Sequence, residues 1–423
     1  MHQLIFVNRY FFPDHSATSQ ILSDLAFHLA GTGRRVHVVT STQHYEDPKA
    51  ELPREEVVNG VQVHRVASSR FGRRSLVGRS VDYLSFYRSV RRRLLDMARA
   101  GDIVIAKTDP PLLAIVAMPA AHRRGAHLIN WLQDIYPETA MVLGVPLMRG
   151  PAAAVSAAWR DRSLRRAAAT VVVGDLMARK VEALGAPPAR VHVIANWCND
   201  EDIRPLAGAR NPLREAWGLD GKFVLGYSGN LGRAHEFDTV LAAAEALRHD
   251  SRIVFLMIGG GKRFDDLAGI VRQRRLDGAF RFMPYQPREL LPYSLAVADL
   301  HWLSLNPALE GLIVPSKFYG IAAAGKPMIV IAAQDGELAR LVRQFDCGIV
   351  IAPGDAAALA GTVLRLSTDD RALARMGMRA RQMLEGRFTR QRAFAQWIEL
   401  FDRIEASGAP DGRTAPTVAD PPD

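Results

Sequence analysis

The sequence predicts an α/β protein built from two doubly wound, Rossmann-like domains that face each other across a cleft. Three observations carry this. The chain has 423 residues, more than one ordinary hydrophobic core organises. Short apolar runs alternate with helical stretches along most of its length, the pattern of βαβ units and a parallel sheet. One segment, Asn196 to Leu213, breaks the alternation. It is polar, contains Pro205 and Pro212, shows no apolar periodicity and reads as an interdomain linker.

Before the linker, strands are expected at Leu4 to Asn8, Val36 to Thr40, Val61 to Val66, Ile103 to Lys107, His127 to Leu132 and Thr170 to Val173. Helical patterns fall at Ser19 to Thr32, Leu76 to Ala100 and a stretch ending near Gly125. After the linker, strands are expected at Phe223 to Tyr227, Ile253 to Ile258, Phe280 to Phe282, Leu300 to Leu303, Met328 to Ile331 and Gly348 to Ile351. The last helix, Arg390 to Glu405, carries Phe394, Trp397, Ile398, Phe401 and Ile404 on one face. The domains are therefore placed at 1–198 and 206–388, with a helix at 389–405 and a tail, 406–423, whose Pro, Gly, Ala and Asp content reads as disordered.

The formal net charge is +10, carried mainly by arginine. It points to an anionic partner: a membrane surface, a nucleotide, a phosphorylated lipid or nucleic acid. An arginine-rich codon usage gives the same composition. No recognised nucleic-acid-binding module accompanies the charge, which disfavours that partner. The two cysteines, Cys198 and Cys347, form no CxxC pair, so no disulfide framework or zinc site is indicated and a reducing cytoplasm fits. The N-terminus runs straight into a strand without the basic and apolar regions of a signal peptide. No uncharged apolar run approaches the ~18 residues of a membrane span, so membrane contact is expected to be peripheral. The histidines show no HExxH spacing, and Asn199-Asp200-Glu201-Asp202 lies in the linker, where a polar hinge is the better reading. No metal and no cofactor are expected.

Ligands of doubly wound domains bind beyond the carboxyl ends of the strands, so the candidate residues are sought there. Glu310-Gly311-Leu312-Ile313-Val314-Pro315-Ser316-Lys317 follows a strand and opens a helix that stops near Gly325. A helix N-terminus offers free N–H groups to a diphosphate. Lys317 can add a full charge and Glu310 can accept hydrogen bonds from sugar hydroxyls, although an ordinary N-cap with a solvated Glu and Lys has the same local pattern. Gly226-Tyr227-Ser228-Gly229-Asn230-Leu231-Gly232-Arg233 is a glycine-rich loop that lets a phosphate approach the backbone, with Arg233 placed to neutralise it. Such loops also make plain turns. Gly259-Gly260-Gly261-Lys262 also ends a strand and reads more simply as a turn. In the first domain, Asp134 of Gln133-Asp134-Ile135-Tyr136-Pro137-Glu138 is placed to hydrogen-bond or help deprotonate an acceptor hydroxyl. Helix N-capping is its competing reading. The stretch with Arg73, Arg74, Arg79, Arg88, Arg91, Arg92 and Arg93 interleaves Leu76, Val77, Tyr83, Leu84, Phe86 and Tyr87. It suits an anionic membrane surface or a polyprenyl-phosphate acceptor, with a second basic helix, Arg160 to Arg166 around Trp159, beside it. A solvated arginine face is the alternative.

With these residues in view, the chain resembles a retaining family-4 glycosyltransferase of the GT-B fold, especially those that build exopolysaccharide, colanic-acid-type or O-antigen repeat units. The marks are Tyr10-Phe11-Phe12-Pro13-Asp14, Lys107-Thr108-Asp109-Pro110-Pro111, Gln133 through Glu138, Asn196-Trp197, Tyr227-Ser228-Gly229-Asn230 and Glu310 through Pro327. The resemblance implies a sugar moved with retention from a nucleotide diphosphate-sugar to a polyprenyl-diphosphate-linked glycan, on the inner face of the plasma membrane. It implies a donor site of Gly229, Asn230, Arg233, Gly260, Lys262, Glu310, Pro315, Ser316 and Lys317, with His15, Ser16, Asp109 and Asp134 on the acceptor side. It also implies a final helix that crosses back onto the first domain. Catalysis is then assigned to Asp134, Glu310, Arg233 and Lys317, without a metal. Three departures stand out. His15-Ser16-Ala17 replaces the usual paired glycines, Gly320 falls where a second glutamate is usual, and the lysine usual after the Arg233 position is absent. A sugar-nucleotide epimerase of the same architecture, or a non-catalytic partner of a glycosyltransferase complex, are the alternative functions.

Overall fold

The computed structural model describes residues 2–14, 16–44, 52–71, 76–148, 150–206 and 211–407. His15, Arg73, Arg74, the tail from residue 408 and the side chain of Lys262 lie outside the described residues.

The first sheet contains β1 (Leu4–Val7), β2 (Val36–Ser41), β3 (Glu55–Val58), β4 (Val61–Val66), β5 (Ile103–Lys107), β6 (His127–Trp131), β7 (Ala169–Val172) and β8 (Val191–Val193). Their spatial order is β3-β4-β2-β1-β5-β6-β7-β8. All neighbours run parallel except β3, which is antiparallel to β4. The second sheet contains β9 (Phe223–Asn230), β10 (Ile253–Gly260), β11 (Phe280–Met283), β12 (Leu300–Ser304), β13 (Met328–Ile331) and β14 (Gly348–Ile351), in the order β11-β10-β9-β12-β13-β14 and all parallel. In each sheet the strand order reverses at its first strand. The crevices open to ligands therefore lie at the carboxyl ends of β1 and β9.

The burial follows the two-residue period of a strand. Leu4 and Phe6 of β1 join Leu22, Leu25, Trp131, Trp397 and Phe401 on one face of the first sheet. Ile5 and Val7 join Phe86, Val90, Leu94, Val104 and Ala117 on the other. Helices Ala17–Gly31 and Arg390–Ala406 cover the first face. Helices Leu76–Met97 and Leu113–Arg123 cover the second. The chain's last helix thus packs on the sheet nearest its start. Trp397 is fully buried, with its ring centroid 4.7 Å from that of Trp131.

The two domains share a core. Val172, Met177 and Val181 of the first pack with Leu309, Leu312, Phe318 and Leu338 of the second in one continuous cluster. The linker is more firmly fixed than its polarity implies. Trp197 and Ile203 are buried, and Asn196 Nδ2 donates to Gln133 Oε1 at 2.8 Å. Arg381 reaches back to the carbonyls of Ile203 (3.0 Å) and Ala323 (2.8 Å). The acidic run expected to be a hinge anchors the last helix instead. Asp200 accepts from Arg390 N at 3.0 Å, and Glu201 pairs with Arg390 and accepts from Gln391.

Strands β3 and β8 carry no apolar signal in the sequence. β3 reads Glu-Glu-Val-Val on an exposed edge, and β8 is three half-exposed residues. Both lie at an edge of the sheet, where a neighbour offers a free ladder. The second basic helix, Pro151–Arg166, also differs from expectation. Arg160 is buried against Glu138 and Asp161 and donates to Tyr136 O, so it offers no charge to a partner.

Trp397→Ala empties the contact between the last helix and Trp131. We expect it to cost about 3–5 kcal/mol, read as a lower urea midpoint, with Trp397→Phe losing much less.

Candidate active site

The second domain brings two glycine loops together. β9 and β10 extend past their expected ends, pairing Gly229 with Gly259 and Asn230 with Gly260. Gly229, Gly259 and Gly261 have φ of 123°, 136° and 111°, where side chains are disfavoured. A Cβ on Gly259 would lie 2.2 Å from Gly229 O, and one on Gly261 2.0 Å from Asn230 Oδ1. The Gly259-Gly260-Gly261 cluster is therefore more than a turn. It lets the loop after β10 close onto the loop after β9.

Lys317 lies across this junction. A Cβ on Gly229 would come within 2.8 Å of Lys317 Cε. The ammonium sits 5.2 Å from the Tyr227 ring centroid and 3.1 Å from His235 Nε2. Burial lowers the Lys317 pKa to about 8. His235 Nδ1 donates to Ser304 O at 2.7 Å. Burial, and next the Lys317 charge, hold the imidazole at about 3, so it is neutral at any working pH. Arg233 is exposed just before it, and Lys262 opens helix Lys262–Gln273 at the end of the other glycine loop.

Glu310 faces elsewhere. The chain leaves β12 through a short turn, Pro307–Leu309, into Glu310. Its Oε2 accepts from Glu337 N at 3.2 Å, and a Cβ on Gly336 would lie 2.3 Å from its Oε1. Burial raises its pKa, and the carboxylates of Glu337 and Asp335 add to that. A cavity of about 360 Å³ adjoins it, lined by Leu176, Arg179, Lys180, Glu310, Gly311 and Asp335. Glu310 and Lys317 thus leave one loop in different company, the first toward Gly336 and the second toward Gly229. Pro315 is buried, and Ser316 caps the seven-residue helix Lys317–Ala323 without a side-chain hydrogen bond. At Gly320 a Cβ would meet only Leu295 Cδ1, at 3.7 Å, so packing does not require a glycine there.

In the first domain, Lys107, Asp109 and Asp134 interact beyond the ends of β5 and β6. Lys107 Nζ donates to Thr18 O at 2.8 Å and lies 4.1 Å from the Trp131 ring centroid. Burial lowers its pKa to about 7, against the pull of Asp109 and Asp134. Burial pushes the Asp134 carboxyl up to about 7, Asp109 adds to the rise and Lys107 opposes it. The loop carrying Asp134 meets the donor loop directly. Asp134 forms an antiparallel bridge with Ile313, and Ile135 N donates to Leu312 O at 3.0 Å. Ser16 is the N-cap of helix Ala17–Gly31, its hydroxyl accepting from Ser19 N at 3.4 Å.

Two family models cover most of the chain: a glycosyl transferase 4-like domain at residues 17–197 and glycosyl transferases group 1 at residues 209–383. The chain belongs to this glycosyltransferase family. The glycosyltransferase is 27% identical over 274 residues to the probable glycosyltransferase WbjE of Pseudomonas aeruginosa, across 63% of this chain and 66% of that one. It is 27% identical over 225 residues to the putative colanic acid biosynthesis glycosyl transferase WcaI of Escherichia coli K12, across 52% and 55%. The chain spans less than two thirds of the length of either relative. Among solved structures, Anabaena Alr3699/HepE in complex with UDP-glucose matches 95% of this chain and all of its own, with a TM-score of 0.69 at 15% identity. The shared fold is GT-B.

Three residues that matter in this glycosyltransferase escaped the sequence reading. His235 lies just beyond the glycine loop, but its partner Lys317 is 82 positions away. Glu337 reads as an ordinary first-turn acid of helix Glu337–Phe345, yet its carboxylate accepts from Asp175 N (3.2 Å) and Leu176 N (2.8 Å) of the other domain. Arg9 follows β1 and is buried, its guanidinium 5.3 Å from the Tyr10 ring centroid and 5.1 Å from that of Tyr83. Position at a strand end was its only signal.

Asp134 can accept a hydrogen bond from an acceptor hydroxyl with its full charge only when ionised, so transfer is expected to fall as pH drops through about 7. Asp109 raises that value, so Asp109→Asn is expected to move the falling limb of the kcat/KM profile to lower pH. An unmoved limb would separate Asp134 from the titration.

Proposed function

We propose that the chain transfers a sugar, with retention, from a nucleoside diphosphate-sugar to a lipid-linked glycan of the polyprenyl-diphosphate kind, during assembly of a cell-surface polysaccharide. The observation that carries this is Lys317, a half-buried lysine laid over Gly229 between two mutually packed glycine loops, with no carboxylate paired to it among the described residues. A partly buried cation without a counter-ion is costly unless an anion arrives. A diphosphate at the carboxyl ends of β9 and β10 supplies that anion. HepE holds UDP-glucose on the same fold, and WcaI is named for colanic acid biosynthesis. Both support the reading.

In this mechanism the bond from the anomeric carbon to the diphosphate oxygen breaks, and its electron pair leaves with the diphosphate. Lys317, Arg233 and backbone N–H groups of the glycine loops stabilise the departing charge, without a metal. The acceptor hydroxyl forms the new bond on the same face. Its proton passes to a donor phosphate oxygen while Asp134 holds the hydroxyl in line. Glu310 takes the sugar hydroxyls from the side facing Gly336.

The acceptor's lipid calls for a surface. Val77, Val81, Leu84 and Arg88 share one face of helix Leu76–Met97 by their spacing. Val77 and Leu84 are exposed at 74% and 65%, Phe71 nearby at 69%, and Arg88, Arg91 and Arg92 are also exposed. Val155 and Trp159 are exposed on helix Pro151–Arg166. Apolar side chains beside arginines suit the anionic inner face of the plasma membrane, touched peripherally. No described helix is long and apolar enough to cross a membrane.

Thermal unfolding with a panel of nucleoside diphosphate-sugars tests the donor site. One donor at about 100 times its Kd is expected to add about 2.7 kcal/mol, with transfer lost and the shift reduced in Glu310→Ala. No shift with any donor would sink the reading in favour of a non-catalytic partner. Epimerised donor formed without acceptor would replace it with an epimerase. Separately, Val77→Asp/Leu84→Asp is expected to abolish co-sedimentation with phosphatidylglycerol vesicles while leaving donor binding intact. Unchanged co-sedimentation would remove this surface from the proposal.

A further inference from the structure

We propose that His235 is a positioning residue that holds the Lys317 ammonium in place for the donor diphosphate, so that a cation supplied by the helix after the Pro315 turn does the work of the missing lysine after Arg233. This rests on the donor site proposed above and deepens it.

The argument starts from the tautomer. Ser304 offers His235 a carbonyl oxygen, which can only accept, so Nδ1 carries the proton. Nε2 is then a lone pair, and at 3.1 Å it accepts from Lys317 Nζ. The imidazole cannot answer by protonating, because burial and the ammonium beside it hold it neutral. An ammonium has three donors. One is spent on His235, and the others remain on the Gly229 side, where the absence of a side chain leaves the approach open.

A neutral partner is the significant choice. A carboxylate at this place would fix Lys317 equally well but cancel its charge, and with it most of the attraction for a phosphate. The imidazole fixes direction and leaves the charge. Its own seat is tied down from several sides. Glu236 N donates to Ser304 Oγ at 3.1 Å, Thr239 N donates to Glu236 Oε1 at 2.7 Å, and the Arg263 guanidinium lies 4.3 Å from the Phe237 ring centroid. Tyr227 meets the imidazole edge-on at 5.9 Å between centroids and closes the pocket beneath Lys317.

Two substitutions separate the two ends of the ring. His235→Asn places its amide at the Nδ1 position, keeping a donor for Ser304 and losing the acceptor for Lys317. His235→Gln places an oxygen near the Nε2 position and keeps that acceptor. The probes are UDP, GDP, ADP and dTDP with their parent nucleosides, measured by calorimetry on the full chain, alongside Lys317→Met. For the diphosphate that the wild type binds, His235→Asn is expected to weaken affinity about tenfold or more. His235→Gln is expected to restore most of that loss, and the nucleoside is expected to bind all variants alike. In the Lys317→Met background, His235→Asn is expected to have no further effect, the signature of a residue acting through another. The proposal is overturned if His235→Asn weakens nucleoside and diphosphate equally, if its loss adds to that of Lys317→Met, or if diphosphate affinity does not change. A wild type that binds no diphosphate in the panel overturns the donor site itself. Binding with unaltered affinity in His235→Asn overturns only the role of His235.

Discussion

The Glu337 carboxylate sits in one domain and caps a helix of the other, and the geometry of the cleft depends on it. It accepts from Asp175 N and Leu176 N, the free N–H groups at the start of helix Asp175–Ala183. Gly174 makes room for it, since a Cβ there would lie 2.9 Å from Glu337 Cδ. The N–H of Glu337 donates to Glu310. A carboxylate assigned to the sugar is thus one residue removed from the clasp between the domains. The shared core of Met177, Leu312 and Leu338, and the bridge from Asp134 to Ile313, hold the same junction. Any rotation that opens the cleft must break these bonds together, which couples domain position to the placement of Glu310.

The sequence made the large features legible and left the contacts hidden, for a physical reason. β1, β10 and β13 are buried along nearly their whole length, so each announces itself as an apolar run. Their alternation with helices indicates parallel sheets, while the strand order and the crevices after β1 and β9 appear only in the structure. The last helix showed its apolar face, but only the structure shows that the face meets Trp131. Edge strands β3 and β8 had no such signal. The pairs that define the site, His235 with Lys317 and Glu337 with Asp175, join residues that share no local pattern. Each partner alone satisfies a bland local rule, a loop histidine or a first-turn glutamate.

Net charge alone does not locate a partner. Many arginines that make up the excess are internal fasteners. Arg65 pairs with Glu56, Arg214 with Asp299 and Arg160 with Glu138, while Arg381 ties the linker to the second domain. Their charges are spent on carboxylates and carbonyls and reach no partner. Arg88, Arg91 and Arg92, by contrast, are exposed on the helix that also exposes Val77 and Leu84. Exposed apolar residues beside arginines, rather than formal charge, mark this helix and helix Pro151–Arg166.

The two halves of the site are electrically unlike. On the side of the second domain the half-buried group is an ammonium, and its nearest partner is an imidazole that cannot take its charge. On the side of the first domain burial raises the Asp134 carboxyl and lowers the Lys107 ammonium, and each charge opposes the other's shift. One side is positive below about pH 8, and the other carries a carboxyl that burial pushes toward neutrality. Departure of a diphosphate needs positive charge that is already in place when the bond breaks, whereas an acceptor hydroxyl needs a hydrogen-bond acceptor that holds it in line. The backbone bridge between Asp134 and Ile313 brings these two environments edge to edge. Under the proposed reading, that juxtaposition stands in for the usual second glutamate and the usual lysine, which this chain lacks.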